Sequence, residues 1–255
     1  MTESGLRRCI LFPIDMHGVS RATLETLVKI ARQLDRKLLG LLMEDTRLQQ
    51  VADLPFTTEI SLAGGHERNL LREQLLQRHN LISADTRAQL SKLATNNRVE
   101  ISFRPATGAR WTTVLARDSN EDIFLPARIR WNTQFPALIR QASIIKRLGV
   151  VLANDSTDTR MLATAESLSK ANLVREIYLL SKKAPHPDQL HDLRCRNQQV
   201  RSYPNFSCSP ATLLALIKQS PYDLLLIPGQ CLQDIPGAEL DIALEKSSGQ
   251  VLVIN

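Results

Sequence analysis

The sequence has few aromatic residues and no long apolar run, and both shortages exclude classes of protein. Phe, Trp and Tyr together make up 4% of the 255 residues, so the chain lacks the interleaved basic and aromatic side chains of a nucleic-acid stacking surface. Its apolar runs stay well short of the ~18 residues that a membrane span requires, and the amino-terminal segment has no apolar signal-peptide core. We therefore expect a cytoplasmic protein that does not span a membrane.

Motifs for metal binding, disulfides and catalysis are also missing. The cysteines have no CxxC spacing and lie at Cys9, Cys195, Cys208 and Cys231, so neither a zinc site nor a disulfide framework is indicated, and we expect buried thiols. The five histidines form no HExxH pattern, so no metal site is predicted. The sequence contains no GxSxG, P-loop or GxGxxG motif, and we assign no catalytic residue.

The chain does contain many hydrophobic residues that can form a core, and it has a moderate excess of positive charge. Hydrophobic residues make up 43% of the sequence, which is enough to bury one large core or two smaller ones. Lysine and arginine outnumber the acidic residues by 32 to 26, for a net charge of +6. This excess would attract anionic partners, but the charges are spread along the chain rather than blocked. Nucleic acid is therefore not the favoured partner.

The chain is organised around a strand, loop, helix and strand at its start. Cys9 to Asp15 is a nearly continuous apolar run, which is typical of a strand covered on both faces of a parallel sheet. Ser20 then predicts a helix N-cap, and apolar residues recur at helical spacing as far as Leu34. Leu38 to Met43 forms a second apolar run. A unit of this kind predicts two parallel strands joined by a right-handed crossover.

A weaker copy of this unit begins in the second half of the chain. Leu148 to Ala153 repeats the first strand, a helical pattern follows, and Ile177 to Leu180 repeats the second strand. Two later strands, EDIFLPA and YDLLLIPG, also resemble each other. We predict an α/β protein of two tandem, doubly wound, Rossmann-like parallel-sheet domains. The first covers residues 1–146, including a long helix and a basic linker, and the second covers residues 147–255.

Four further elements are expected between and after these units. The stretch from Glu44 to the first long helix predicts a loop or short helices, and His66 to Thr95 predicts that helix, with Leu81 among its apolar positions. Val99 to Arg104 predicts a strand that ends in a turn at Pro105. The final apolar strand would invite pairing with a second chain if it lies at an exposed edge, unless the two halves of the chain pair with each other.

Several segments together resemble the universal stress protein family. They are ILFPID, SRATLETLVKIARQL and LLGLLMED in the first half, with YDLLLIPG and the closing VLVIN in the second half. The resemblance covers nearly the whole chain as two domains. It implies a Rossmann-like fold and a stress-response module that binds a ligand or a protein without catalysing a reaction.

The resemblance also implies candidate cofactor-binding residues. ATP-binding members of the family have a strand-ending Asp that contacts the nucleotide, and a G-x-x-G pattern, followed after a spacer by Gly and Ser or Thr, whose backbone amides approach the phosphates. The candidates here are Asp15, Met43, Gly229 and Gly237. Asp15 could equally cap the turn that follows it, and the two Pro-Gly steps are ordinary turn signals.

The glycine pattern itself is incomplete in both halves. Gly249 is followed by Gln250 rather than by Ser or Thr, and the first half has no glycine between Ala109 and Leu148. Arginines stand near the corresponding positions of the first half instead, and Arg104, Arg128 and Arg130 are candidate anion contacts. Neither half keeps a complete nucleotide site, so we expect weak or lost ATP binding.

The expected function is therefore a non-catalytic binding module. No cofactor is assigned, and ATP, another adenine nucleotide or a small anionic molecule is the candidate ligand. A homodimer through a sheet edge or the long helix is a further expectation. Two alternatives stay open: a nucleotide-using enzyme of the same fold with Asp15 and the arginines at its site, and a nucleic-acid binder suggested by the net charge alone.

Overall fold

The fold is built on one long, mostly parallel sheet with helices on both faces. A computed structural model describes residues 8–15, 19–44, 50–54, 57–60, 64–69, 71–107, 121–126, 145–183, 193 and 199–255. Arg128 and Arg130 lie outside these residues. No helix within the described residues is long and apolar enough to cross a membrane.

The described elements alternate between strands and helices along the chain. Those of the first half are β1 (Cys9–Ile14), α1 (Arg21–Gln33), β2 (Lys37–Glu44), β3 (Thr58–Ile60), β4 (Glu67–Asn69), α2 (Arg72–Asn97), β5 (Ile101–Thr107) and β6 (Asp122–Leu125). Those of the second half are β7 (Ile145–Leu152), α3 (Asp158–Lys170), β8 (Val174–Ser181), β9 (Gln199–Tyr203), α4 (Pro210–Lys218), β10 (Leu224–Pro228), a 3₁₀ turn (Gly229–Leu232), α5 (Gly237–Lys246) and β11 (Gln250–Ile254).

The strand order is the same in both halves of the sheet. The described strands run β5-β2-β1-β6-β11-β10-β7-β8-β9 across it. In the first half β1 lies between β2 and β6, and β5 is outermost. In the second half β7 lies between β8 and β10, and β9 is outermost. All neighbouring pairs are parallel except β6 and β11. The predicted α/β, doubly wound, Rossmann-like architecture is therefore confirmed.

The two halves join through one antiparallel strand pair. Val251 of β11 lies opposite Leu125 of β6, and Val253 lies opposite Ile123. The final strand is thus not an exposed edge. The alternative, in which the halves pair with each other, is the observed arrangement, because β6 covers the backbone groups that β11 would otherwise leave unpaired.

Helix α1 shows how local sequence sets one element. The Ser20 side chain accepts a hydrogen bond from the Thr23 amide at 3.1 Å, so the predicted N-cap is confirmed. Leu24, Leu27 and Val28 are fully buried on the inner face of the helix. At its far end, the Gln33 side-chain amide lies 3.3 Å from the hydroxyl of Ser167 on α3, so the helix also contacts the second half.

The core has two layers, one on each face of the sheet. On one face α1, α2 and α3 contribute buried side chains that include Leu27, Leu90 and Leu168. On the other face α4 and α5 contribute side chains that include Leu213 and Leu240. Strands β1, β6, β10 and β11 lie between the layers and are almost wholly buried, as their continuous apolar sequences predict.

Several expectations for the region between β2 and β6 are wrong. Residues 67–69 form a hairpin strand with β3, and the long helix begins at Arg72 rather than at His66. Leu81 is 70% exposed and does not belong to the inner face of α2. β5 continues through Pro105 to Thr107, because an edge strand can accept a proline that donates no hydrogen bond on its open side.

Candidate functional site at the carboxyl edges of the sheet

Open parallel sheets bind ligands at the carboxyl ends of their strands. This sheet has two sets of such ends, one in each half of the chain, and each set is called the carboxyl edge of its half. Because β6 and β11 are antiparallel, the strands of the two halves run in opposite directions and their carboxyl ends lie at opposite ends of the sheet. Each half therefore has its own candidate site. The edge of the second half also meets the amino end of β6, where Asp122 stands beside Asn255.

At the edge of the second half, Asp158 occupies the backbone amides that follow β7. Its two carboxylate oxygens accept hydrogen bonds from the amides of Ala153 and Asn154 at 2.8 and 3.0 Å. Burial raises the pKa of the Asp158 carboxyl, and the nearby charge of Asp155 raises it further, although the amides oppose this shift. The amides that could meet an anionic ligand at the end of this strand are thus already bound to the protein's own carboxylate.

Asp155 ties the same loop to the turn after β10. One of its carboxylate oxygens accepts from both the amide and the hydroxyl of Thr157, each at 2.7 Å, and the other accepts from the side-chain amide of Gln230. Burial raises the pKa of Asp155, but these hydrogen bonds outweigh burial and leave the pKa below its usual value. The loop and the turn are therefore joined by the charge-assisted hydrogen bond between Asp155 and Gln230.

Gly229 lies directly under the side chain of the last residue. A Cβ at Gly229 would stand 1.6 Å from Oδ1 of Asn255, so glycine is needed here for close approach rather than for a special backbone angle. The Asn255 side-chain amide donates to the carbonyl of Glu121 at 2.6 Å. Gly237 is the first residue of α5, after Pro236, which provides no side-chain cap. The structure places the two glycines on separate elements, the 3₁₀ turn and α5.

The edge of the first half carries the other predicted residues. Asp15 follows β1, whose last residue Ile14 lies opposite Leu42, so Asp15 stands level with Met43. Met43 is 3% exposed and contributes its side chain to the core. Arg104 does not follow its strand as expected but lies inside β5, opposite Leu41. Asp15 and Met43 are thus brought together, whereas Arg104 lies three strand residues before the edge.

A groove opens beside this edge, between α2 and the ends of β2 and β5. Its volume is about 480 Å³, and it is lined by Leu42, Glu44, His79, Asn80, Ser83, Ala84, Arg87, Ala88, Ser91 and Pro105. The imidazole Nε2 of His79 lies 2.9 Å from the Met43 carbonyl oxygen. The guanidinium of Arg87 lies 5.0 Å from the centroid of the Phe103 ring, a cation–π contact. The groove therefore combines positive, negative and neutral polar groups.

No group of three or more potential metal ligands occurs within the described part of the chain. The carboxylates at the edge of the second half instead bond to amides and hydroxyls, as described above. The described residues therefore offer no ligand set for a resident metal ion.

The comparisons with known proteins include a solved structure that aligns with nearly the whole chain. No family profile matches the chain, and no curated protein matches it. A universal stress protein from Archaeoglobus fulgidus has 11% sequence identity with this chain, over 97% of this chain and 96% of that chain, with a TM-score of 0.49. The α/β assignment follows from the strand order and register of the long sheet.

Sequence reasoning missed the residues that close the edge of the second half. Asp158 was detectable as an acidic residue in the first turn of a helix, a position that favours contact with backbone amides. The contact between Asp155 and Gln230 was not detectable, because the two residues are far apart in sequence and meet only across β7 and β10. The groove could have been found from Ala84 and Ala88, which are one helical turn apart on α2 and whose small side chains leave space beside the helix.

Proposed function

We propose that this chain is a non-catalytic binding module of the universal stress protein type, acting in stress response, with weak or lost ATP binding. The observation that carries the proposal is the Asp158 carboxylate on the Ala153 and Asn154 amides. The shared strand order of the two halves and the sequence segments described above support the family resemblance. Residues 1–146 and 147–255 are the proposed domains, joined at the β6–β11 pair.

The loss of nucleotide binding follows from competition for the same donors. Phosphates bind best where backbone amides at a strand-to-helix turn are free to donate. Here a carboxylate that is part of the chain already takes two of those amides, and the Asn255 side chain fills the space above Gly229. A nucleotide would have to displace charge-assisted hydrogen bonds that cost no entropy of association.

The first half is the proposed place for a small ligand. A groove of about 480 Å³ falls in the range of roughly 300–1,000 Å³ that is usual for small-molecule sites. The guanidinium of Arg87 would contact an acidic group, and Glu44 would contact a basic or hydroxyl group. A small polar molecule that carries an anionic group fits this lining better than a long apolar chain.

The decisive experiment is a thermal melt of the full chain with ATP and magnesium, alongside an ATP hydrolysis assay. We expect no hydrolysis and little or no shift of the melting temperature at millimolar nucleotide. Since a ligand that binds only the folded state raises its stability with concentration, a shift of several degrees would contradict the proposal. Magnesium alone and inorganic phosphate are the controls.

The variant Asp15→Asn shows which half of the chain binds ATP, if the wild-type chain binds it. If ATP stabilises the wild-type chain and Asp15→Asn abolishes the shift, the nucleotide site is in the first half. If turnover is also lost in Asp15→Asn, the alternative of a nucleotide-using enzyme is correct.

A further inference from the structure

Two thiols meet at the carboxyl edge of the second half. Cys208 precedes the N-cap residue Ser209 of α4, and Cys231 lies in the 3₁₀ turn after β10. The Cys208 thiol donates to the Leu152 carbonyl at 3.6 Å, at the end of β7. β10 is the neighbour of β7 in the sheet, so the turn after β10 lies beside that carbonyl. Both thiols pack against the same core cluster.

The contact between the two thiols is direct, and it makes them chemically unequal. The turn that carries Cys231 follows β10 directly, beside the Leu152 carbonyl that Cys208 contacts, and the thiols are near enough for a side-chain hydrogen bond to change the pKa of both. The hydrogen bond from Cys231 lowers the pKa of Cys208, although burial and two nearby aspartates oppose this. The same hydrogen bond, followed by burial, raises the pKa of Cys231. Cys208 is therefore the thiol that ionises first, and Cys231 is held against it as the protonated donor.

This arrangement matches what thiol–disulfide exchange requires. The attacking group must be a thiolate, it must be reachable, and a second thiol must stand next to it to complete the exchange. Both side chains are half-buried rather than enclosed. Cys9 differs, because burial raises its pKa, and none of its described contacts is a second thiol.

We infer that Cys208 and Cys231 form a reversible internal disulfide by exchange with a small-molecule disulfide such as oxidised glutathione. The Cys208 thiolate attacks one sulfur of that disulfide, whose S–S bond breaks and releases one thiolate. Cys231 then loses its proton to water and attacks the Cys208 sulfur, and the second small thiolate leaves. The protein loses two electrons and two protons, and the small disulfide becomes two thiols.

The bond would link the start of α4 to the turn after β10. Gln230, the neighbour of Cys231, donates to Asp155 in the loop after β7, so the new bond would lie where the ends of β7 and β10 are already joined. Closing the chain between residues 208 and 231 restricts the unfolded state and raises stability. Oxidation would thus stabilise the edge of the second half, independently of any ligand in the first half.

The test uses the full chain with Cys9→Ser and Cys195→Ser, so that only the two proposed thiols remain. Incubation with excess oxidised glutathione should remove both free thiols, lower the mass by two hydrogen atoms, and yield a peptide that links residues 208 and 231. The melting temperature should rise and should return to its starting value with dithiothreitol. Thiols that stay free, or two stable glutathione adducts, would overturn the proposal.

Single variants in the same background test the order of attack. Cys231→Ser should stop at a stable glutathione adduct on Cys208, because no second thiol is present to release it. Cys208→Ser should react more slowly, by roughly threefold for each unit by which the pKa of Cys231 exceeds that of Cys208, because the more basic thiolate is rarer but also more nucleophilic. If Cys208→Ser is the faster variant, Cys231 attacks first and the assigned order is wrong.

Discussion

Arg160 of α3 contacts Asp122 of β6 across the junction of the two halves. The Arg160 Nη2 lies 3.4 Å from Oδ1 of Asp122, whose side chain is 2% exposed, and Arg36 contacts the other oxygen at 3.5 Å. The amide of Asn255 also donates to Asp122 at 3.2 Å. One buried carboxylate thus joins α1–β2, β6, α3 and the end of β11.

Replacing Asp122 by Asn should flatten the pH dependence of stability. Burial raises the pKa of Asp122 above its ordinary 3.8. The Asn255 amide, Arg36 and Arg8 lower this pKa, but their combined effect is smaller than that of burial. The folded state therefore holds this proton more tightly than the unfolded state, and stability is lost as the pH rises from 3.8 through the folded pKa. Urea unfolding of wild type and Asp122→Asn, measured from acidic to neutral pH, shows how the free energy of unfolding of each protein changes with pH.

The control for that prediction is Asp122→Ala. Asn keeps an oxygen that can accept hydrogen bonds from Asn255 and Arg160. Ala leaves both donors without an acceptor and should lower the free energy of unfolding by about 1–3 kcal/mol. Parallel pH curves for wild type and Asp122→Asn would mean that Asp122 does not titrate in this range.

Replacing Asp158 by Ala should loosen the turn after β7. Two backbone amides lose their acceptor, and because one of them can turn to water, the expected cost is about 1–2 kcal/mol in the free energy of unfolding. Hydrogen exchange at the Ala153 and Asn154 amides should accelerate. Asp158→Asn, which keeps one acceptor oxygen, should show a smaller effect, and unchanged exchange in Asp158→Ala would contradict the observed contact.

Gly229 and Asn255 should behave as a coupled pair. Gly229→Ala must push the Asn255 side chain away, since a Cβ would stand 1.6 Å from its Oδ1, and the bond to the Glu121 carbonyl would be lost. The expected cost is about 1 kcal/mol or more. In an Asn255→Ala background the same substitution should cost much less, and a double-mutant cycle by urea unfolding measures the coupling. Additive costs would show that the two side chains do not compete for space.

The exposed Leu81 tests the proposed homodimer through α2. Leu81 is 70% exposed on α2, and Ile242 is 47% exposed on α5. If α2 forms the interface, light scattering should show a dimer for wild type, a monomer for Leu81→Lys, and an unchanged dimer for Ile242→Lys. A wild-type monomer would exclude the homodimer, and equal effects of the two variants would exclude α2 as its interface.

Much of the architecture was predictable because it depends on local patterns. The cap at Ser20 and the strand within EDIFLPA, observed as Asp122–Leu125 of β6, agree with sequence expectations. Capping groups and short apolar runs act within one element, so neighbouring residues reveal them. The start of α2 was misplaced because residues 67–69 pair with β3, and a hairpin partner overrides the local preference.

The sequence alone indicated the α/β class, the order of the strands of the long sheet, and the repeat of one strand-and-helix unit, because apolar periodicity and helix caps depend on neighbouring residues. Only the tertiary structure decided that β11 pairs with β6, that Asp158 fills the amides at the end of β7, and that Cys208 meets Cys231. These contacts join residues that are distant in sequence or depend on the exact course of a loop, and they form only when the packed sheet brings the strand ends together.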